Sequence, residues 1–445
     1  MSDTSKRIHV IAIGGAIMHN LGIALSNRGY IVTGSDDAIY DPAKTNLENA
    51  GLYPASIGWD SERITKDLDF VILGMHARSN NPELLKAQEL GLKIMSFPEF
   101  VAMESNDKKR IVVAGSHGKT TTTAIIMHVL SKLERDFDYV VGSSIDGFDL
   151  SVKLSDAPLI VIEGDEYLTS PLDLRSKFLW YKPHISIITG VAYDHINVFP
   201  TWNSYVDTFK AFINSHSLES KYFWYAEDKT LAELSKEADK NNHSYTTPPY
   251  KSTKQGTVLT MNEQEYVLEI VGKHNLENMR AAELVCTEIG ISQREFYQAA
   301  ADFSGAGRRM EKVLENDKQV VYRDFAHSPS KLQATTSAIK ETYPGNLLAV
   351  FELHTFSSLT KEFLPLYKDS MKAADRAIVY FSEGVFEHKK MPILSAEYIE
   401  QCFGNVQIVN DKSELEDVVR LNYGAESNIL LMSSGTFSGA NFFWD

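Results

Sequence analysis

At 445 residues the chain exceeds what one hydrophobic core ordinarily serves, so two or three domains are expected. With 43% hydrophobic and 23% charged residues it has the balance of a folded globular protein, which excludes wholesale disorder. A net charge of −15 excludes general binding to nucleic acid, although a local nest of backbone N–H groups can still hold a small phosphate.

The apolar run at residues 8–13 follows Lys6 and Arg7 but is cut short by Gly14 and Gly15, so it reads as a buried strand and not as a secretion signal. A helix carrying Leu21, Ala24, Leu25 and Arg28 follows, then a strand at residues 31–33 that ends in Gly34-Ser35-Asp36. Strands at residues 70–73 and 93–95 flank a helix opened by Asn81-Pro82, and the polar run 104–110 reads as a linker. A strand at residues 111–114 leads through a glycine loop into a helix whose Ile126, Val129, Leu130 and Leu133 form one apolar face. Buried strands are expected at residues 159–162 and 185–188, and residues 221–271 read as short strands and loops. Helix resumes after His274. A last series has strands at 320–322, 347–351, 377–381, 406–409 and 429–432, with a helix starting at Ser328-Pro329. This alternation implies an α/β protein of three modules with parallel, doubly wound sheets. No run approaches a membrane span. Only Cys286 and Cys402 are present, so there is no disulfide framework and a cytoplasmic location is expected.

The strongest local signal is Gly115-Ser116-His117-Gly118-Lys119-Thr120-Thr121, between a buried strand and an amphipathic helix. A glycine turn there lets backbone N–H groups close on phosphate oxygens, with the helix N-terminus adding positive potential. Lys119 would meet the β- and γ-phosphates of ATP, and the Thr120 hydroxyl would ligate Mg²⁺. Val113 stands where the usual first glycine of such a loop would fall. Gly14-Gly15 lacks the spacing of a dinucleotide fingerprint and reads equally as a diphosphate turn or a tight structural turn. Glu163 ends an apolar strand, where a carboxylate can hold Mg²⁺, although a lone acid there also reads as a loop cap. Asp194-His195 follows the next core strand; the imidazole is a candidate metal ligand or simply structural. Asn275 and Asn278 offer the donor and acceptor that an adenine edge requires, or cap a helix. Arg308 and Arg309 suit a transferring phosphate, or form a solvated face. Asp324, at a strand end, suits a ribose, with His327 beside it.

The phosphate loop from Ala114 to Thr120, Glu163-Gly164-Asp165-Glu166, Asp194-His195, Gly272-Lys273-His274-Asn275-Leu276-Glu277-Asn278, Gly307-Arg308-Arg309 and Asp324-Phe325-Ala326-His327-Ser328-Pro329 together resemble the Mur ligases in order and spacing. The resemblance spans nearly the whole chain. It implies a three-domain architecture: a Rossmann-like domain for the UDP substrate (1–107), a P-loop ATPase domain (108–311) and a Rossmann-like C-terminal ligase domain (312–445). It implies an ATP- and Mg²⁺-dependent ligase that joins an amino acid or a tripeptide to UDP-N-acetylmuramate through an acyl phosphate. Lys119, Glu163 and His195 are then catalytic, with Thr120, Glu163 and His195 on metal. Gly115, Ser116, His117, Gly118, Lys119, Thr120, Thr121, His274, Asn275, Asn278, Arg309 and Asp324 bind ATP, and Gly14, Gly15, Asp36 and His76 bind the UDP substrate. A monomer or weak dimer, with no nucleic acid or membrane partner, is expected.

Among family members, Gly34-Ser35-Asp36 with Tyr40-Asp41-Pro42, Glu163 to Tyr167 with Arg175-Ser176-Lys177-Phe178, and Met432 to Gly439 resemble those that attach the recycled tripeptide L-alanyl-γ-D-glutamyl-meso-diaminopimelate. The segment Phe351-Glu352-Leu353-His354-Thr355-Phe356-Ser357 resembles those that add L-alanine. Ala12 replaces a family glycine, Ser328 the second His of His-His-Pro, and Arg323 an acid. Lys210 is off register for a carbamoylated lysine and is not assigned. A nicotinamide oxidoreductase would leave Lys119 and Glu163 unexplained. A folylpolyglutamate-type ligase would carry its phosphate loop near the N-terminus. A non-catalytic nucleotide binder would not need Lys119, Thr120, Glu163 and His195 together.

Overall fold

The computed structural model describes residues 5–253, 256–307, 309–423, 425 and 427–442. The chain forms two compact units. One comprises the chain up to Val191 with Val206–Tyr245 and Leu284–Ile291; the other comprises Ala192–Tyr205, Thr246–Glu283 and the chain from Ser292 onward.

The first unit holds two sheets. Strands β1 (Arg7–Ile11), β2 (Ile31–Ser35), β3 (Phe70–Leu73) and β4 (Lys93–Ser96) form a parallel sheet of order β2-β1-β3-β4. Helices α1 (Met18–Asn27), α2 (Ala43–Asn49), α3 (Pro82–Glu89) and α4 (Phe97–Glu104) lie between the strands in sequence. The start of α3 is set locally: the Asn81 side chain accepts from the N–H groups of Glu83 and Leu84, and Pro82 opens the first turn. The expected strand at 8–13 stops at Ile11, because Ala12 takes a left-handed φ of 65°. The expected linker at 104–110 is also shorter than the polar run suggests, since α4 reaches Glu104 and the next strand begins at Lys109.

The second sheet is built from β5 (Lys109–Ala114), β6 (Asp138–Val140), β7 (Val152–Lys153), β8 (Leu159–Glu163), β11 (Ile185–Ile188), β12 (Lys221–Tyr225) and β13 (Asn241–Tyr245). Their order is β13-β12-β11-β5-β8-β6-β7, parallel except for the β6–β7 edge. Helices α5 (Lys119–Lys132), α6 (Trp202–Asn214) and α7 (Lys229–Glu237) belong to this stretch, as does a small pair of strands, β9 (Leu168–Ser170) with β10 (Asp173–Ser176). The expected short strands at 221–271 are present, but residues 221–245 also hold the helix α7 and extend a parallel sheet, which corrects their reading as strands and loops alone. Their buried Tyr222, Phe223 and Tyr225 carry the strand despite the polar surroundings. Arg28 ties the two sheets together, donating to Glu104 at 2.7 Å and to Asp156 at 3.1 Å.

The second unit carries an antiparallel sheet of β14 (Tyr250–Thr253), β15 (Gly256–Met261) and β16 (Gln264–Leu268), then most of α8 (Lys273–Glu288), whose residues from Leu284 on count with the first unit, and α9 (Gln293–Ala300). Its larger sheet comprises β17 (Glu311–Glu315), β18 (Val320–Asp324), β19 (Asn346–Glu352), β20 (Arg376–Tyr380), β21 (Gln407–Val409) and β22 (Ser427–Met432), in the order β17-β18-β22-β19-β20-β21. It is parallel except for β17. Helices α10 (Pro329–Thr342), α11 (Glu383–His388), α12 (Ala396–Phe403) and α13 (Lys412–Asn422) connect these strands. Successive residues of β19 face opposite cores: Ala349 and Phe351 join one apolar cluster, Leu348 and Val350 the other. Burial on both faces explains why these strands read as continuous apolar runs and not as alternation. Among the described residues no helix is long and apolar enough to cross a membrane.

Candidate active site

Four consecutive buried residues, Ile111 to Ala114, carry β5 to the carboxyl edge of its sheet. The chain then turns through Gly115, at φ 130°, and Gly118, at φ 75°, before α5 starts at Lys119. Side chains rarely adopt those angles, which is why glycine stands at both positions. Residues after β11 shape the turn from behind. The Ser116 N–H donates to the Gly190 carbonyl at 2.9 Å, and the Thr189 hydroxyl donates to the carbonyls of His117 and, at 3.1 Å, Ala114. The His117 ring lies against Gly190, where an added Cβ would come within 2.3 Å of it. The result is a glycine loop opening a helix of 14 residues, the geometry suited to a phosphate.

β8 lies next to β5, so Glu163 leaves the sheet beside this loop. The Thr120 hydroxyl donates to its Oε1 at 2.7 Å and the Gly142 N–H to its Oε2 at 2.9 Å. The following acids have partners of their own. Asp165 accepts from Lys177 Nζ at 2.6 Å, and the fully buried Glu166 accepts from Lys119 Nζ at 2.6 Å. Burial alone would lower the pKa of Lys119, but Glu166, Asp165 and Glu163 outweigh it and raise it, so the ammonium is firmly charged. Burial, together with Asp165 and Glu163, pushes the Tyr181 phenol up. A hydroxyl and a carboxylate within 2.7 Å of each other form a hard oxygen pair that fits Mg²⁺. Among the described residues no group of three or more His, Cys, Asp or Glu gathers as a metal site, so the remaining ligands would be phosphate and water.

In the second unit, Asp194 and His195 meet the start of α10. His195 takes a left-handed φ of 55°, and its N–H donates to Asp194 Oδ1 at 2.8 Å. Asp194 Oδ2 faces Lys331 at 3.9 Å and His327 at 4.0 Å. Burial would raise the Asp194 carboxyl, but Lys331, His195 and His327 hold it down at about 2. Burial and Lys331 push His327 down to about 3, so this imidazole is neutral near pH 7. Asp324 ends β18; its Oδ1 accepts from the N–H groups of Phe325 at 2.8 Å and Met310 at 3.2 Å, and its Oδ2 from Thr335 at 2.6 Å. Arg309 stacks over the Phe325 ring at 5.2 Å, so it is not a plain solvated side chain; Arg308 lies outside the described residues. His274 is close enough to Asp324 to feel its charge, though desolvation lowers its pKa. Asn275 and Asn278 are buried within α8, where Asn275 Nδ2 donates to the Val271 carbonyl at 2.9 Å.

At the N-terminal sheet, Gly14 and Gly15 follow β1, Asp36 follows β2 and His76 follows β3, all at the carboxyl edge. The Gly14 N–H donates to Asp36 Oδ2 at 2.8 Å, and His76 is exposed. Lys210 pairs with Glu237 at 3.1 Å on exposed helix surface.

Two features escaped the sequence reading. One is the Lys119–Glu166 pair. The other lies at the ends of β19 and β22, where buried Glu352 accepts from the Ser433 hydroxyl and from the Phe437 N–H at 2.8 Å, with His354 Nδ1 4.0 Å away. The rule that singles out Glu163, an acid ending an apolar strand, applies equally to Glu352 and would have found it.

Comparison with known proteins matches three family models along the chain: "Mur ligase family, catalytic domain" over residues 7–109, "Mur ligase middle domain" over 113–286 and "Mur ligase, glutamate ligase domain" over 308–435. The UDP-N-acetylmuramate–L-alanine ligase of Carboxydothermus hydrogenoformans is 30% identical, over 98% of this chain and 95% of that one. The UDP-N-acetylmuramate–L-alanyl-γ-D-glutamyl-meso-2,6-diaminoheptandioate ligase of Haemophilus influenzae is 27% identical, over 98% and 97%. The crystal structure of a murein peptide ligase from Psychrobacter arcticus shares the fold, with a TM-score of 0.67, 23% identity and coverage of 98% and 97%.

Proposed function

We propose, since this chain belongs to the Mur ligase family and is therefore an ATP-dependent amide ligase of peptidoglycan synthesis, that it joins the recycled tripeptide L-alanyl-γ-D-glutamyl-meso-diaminopimelate to UDP-N-acetylmuramate. The observation that carries the chemistry is the meeting of Lys119, Thr120 and Glu163 at one sheet edge. A carboxylate is a poor electrophile and must be activated before an amine can attack it. In this reading the lactyl carboxylate of the UDP substrate attacks the γ-phosphate of ATP and ADP departs. The amine of the acceptor then adds to the acyl phosphate, and phosphate leaves.

Phosphoryl transfer asks for alignment and charge neutralisation more than for covalent help. The N–H groups of the 115–119 loop and the Lys119 ammonium supply both. Thr120 and Glu163 would hold Mg²⁺, which when bound offsets the charge that develops on the phosphate oxygens. On the second unit His195 is the corresponding candidate metal ligand. His274, Asn275, Asn278, Arg309 and Asp324 are assigned to the nucleoside. Gly14, Gly15, Asp36 and His76 are assigned to the UDP substrate, supported by their shared position at the carboxyl edge of a parallel sheet.

The tripeptide assignment rests on Gly34-Ser35-Asp36 with Tyr40-Asp41-Pro42, on Glu163 to Tyr167 with Arg175 to Phe178, and on Met432 to Gly439. Lys177 is tied to Asp165, so the segments 163–167 and 175–178 form one structure. L-alanine is the second reading, favoured by the segment from Phe351 to Ser357 and by the relative named for that activity. Mg²⁺- and ATP-dependent phosphate release with UDP-N-acetylmuramate, compared between L-alanine and the tripeptide, separates them. Release with tripeptide alone is the expected result. Release with alanine alone replaces the assignment, and release with neither overturns the choice of substrate.

A further inference from the structure

The four residues 163–166, at and just past the end of β8, place three acids within one turn of chain, and each has a different partner. Glu163 takes the Thr120 hydroxyl and the Gly142 N–H, Asp165 takes Lys177, and Glu166 takes Lys119. The last pair is the most enclosed: the Glu166 side chain is 0% exposed and that of Lys119 13%. The lysine also donates to the carbonyl of Gly115 at 2.7 Å. Two of the three donors of this ammonium are therefore engaged by the protein, one of them with a full charge. Only one donor of the ammonium is then left for a phosphate unless the carboxylate is displaced.

We infer that Glu166 is a positioning residue for Lys119, holding the ammonium turned back against the loop, and that a nucleoside triphosphate must exchange this carboxylate for its own β- and γ-phosphate oxygens. The inference rests on the reading of residues 115–120 as the phosphate loop. Its physical content is a competition. A fully buried carboxylate at 2.6 Å is a strong partner for an ammonium, so the lysine is shared between two anions. The apparent affinity for triphosphate is then reduced by the fraction of molecules in which Lys119 is turned away. Asp165 does not take over this task, because Lys177 already occupies it.

The test compares binding of AMPPNP and of AMP, each with Mg²⁺, to the full chain carrying Glu166→Gln. AMP lacks the phosphates that Lys119 would reach. The expected result is about tenfold tighter AMPPNP binding with AMP affinity unmoved, since removing the competing charge raises the competent fraction. A general loosening of the fold would change both ligands together. Glu166→Asp, which withdraws the charge by one methylene, tightens AMPPNP by a smaller factor in the same direction and serves where Glu166→Gln does not fold. Unchanged or weaker AMPPNP binding by a folded variant overturns the inference. Lys119→Met supplies the separate control: wild-type AMPPNP affinity in that variant overturns the phosphate-loop reading itself, and the inference with it.

Discussion

Thr120 and Glu163 stand 43 residues apart in the chain, yet the threonine hydroxyl donates to the glutamate Oε1 at 2.7 Å. The adjacency of β5 and β8 produces this contact, since Glu163 ends β8 and Thr120 lies in the first turn of the helix that follows β5. It brings together two groups that stand apart in the sequence, in the hydroxyl and carboxylate pairing that the proposed Mg²⁺ site requires.

Glu163→Gln keeps the size of the side chain and removes its charge. Phosphate release under saturating substrates is expected to fall about a hundredfold or more, with the thermal midpoint little changed. Wild-type turnover in a folded Glu163→Gln protein would remove this residue from the site.

Gly190 leaves room for the His117 ring, which an alanine Cβ would approach within 2.3 Å. Gly190→Ala should therefore displace the loop, costing about 1–3 kcal/mol of stability as overpacking and most of the AMPPNP affinity. Urea unfolding and calorimetric titration read the two effects. Normal affinity would show that the loop tolerates the shift.

His216 is buried, its Nε2 paired with the Ser186 hydroxyl at 2.7 Å, and burial pushes its pKa down from 6.5 to about 4. Between those values the unfolded chain binds a proton that the folded chain refuses, so stability falls as pH drops from 6.5 toward 4 and this contribution levels off below. The loss approaches about 3 kcal/mol, because each tenfold drop in proton affinity on folding is worth about 1.4 kcal/mol. His216→Gln should flatten that part of the curve in urea titrations at stepped pH; an unchanged slope would assign the loss elsewhere.

Glu83, in the first turn of α3, is fully buried and gathers four groups. It accepts the Ser35 hydroxyl and the Asp60 N–H at 2.9 Å, with His9 at 3.4 Å and Arg63 at 3.6 Å. Glu83→Ala strands these partners and is expected to destabilise the chain by about 3–5 kcal/mol, the usual cost of breaking a buried pair. A denaturation midpoint within error of the wild type would show that water replaces the carboxylate.

The α/β class, the glycine turn that opens α5 and most parallel strands were legible in the sequence. Strand and loop are local matters: a run such as Ile111 to Ala114 is apolar because both faces of its sheet are covered, and Gly115 and Gly118 stand where positive φ is needed. Residues 221–245 were not legible, because Lys221, Asn241 and Asn242 dilute the apolar signal while pairing in a parallel ladder still makes strands of them.

Partnership between side chains was the other thing the sequence could not decide. Glu163, Asp165 and Glu166 are three acids within four positions, and nothing in their order says which meets a hydroxyl and which meets a lysine. Strand order decides it. β5 beside β8 brings Thr120 to Glu163, and the fold of the chain beyond β8 turns Lys177 onto Asp165 and leaves Glu166 under Lys119. The sequence by itself determined which kinds of group are present and on which strand ends they stand, because backbone preference and burial act over a few residues. Only the tertiary structure decided the pairing of charges, because that depends on distances of a few ångströms between segments far apart in the chain.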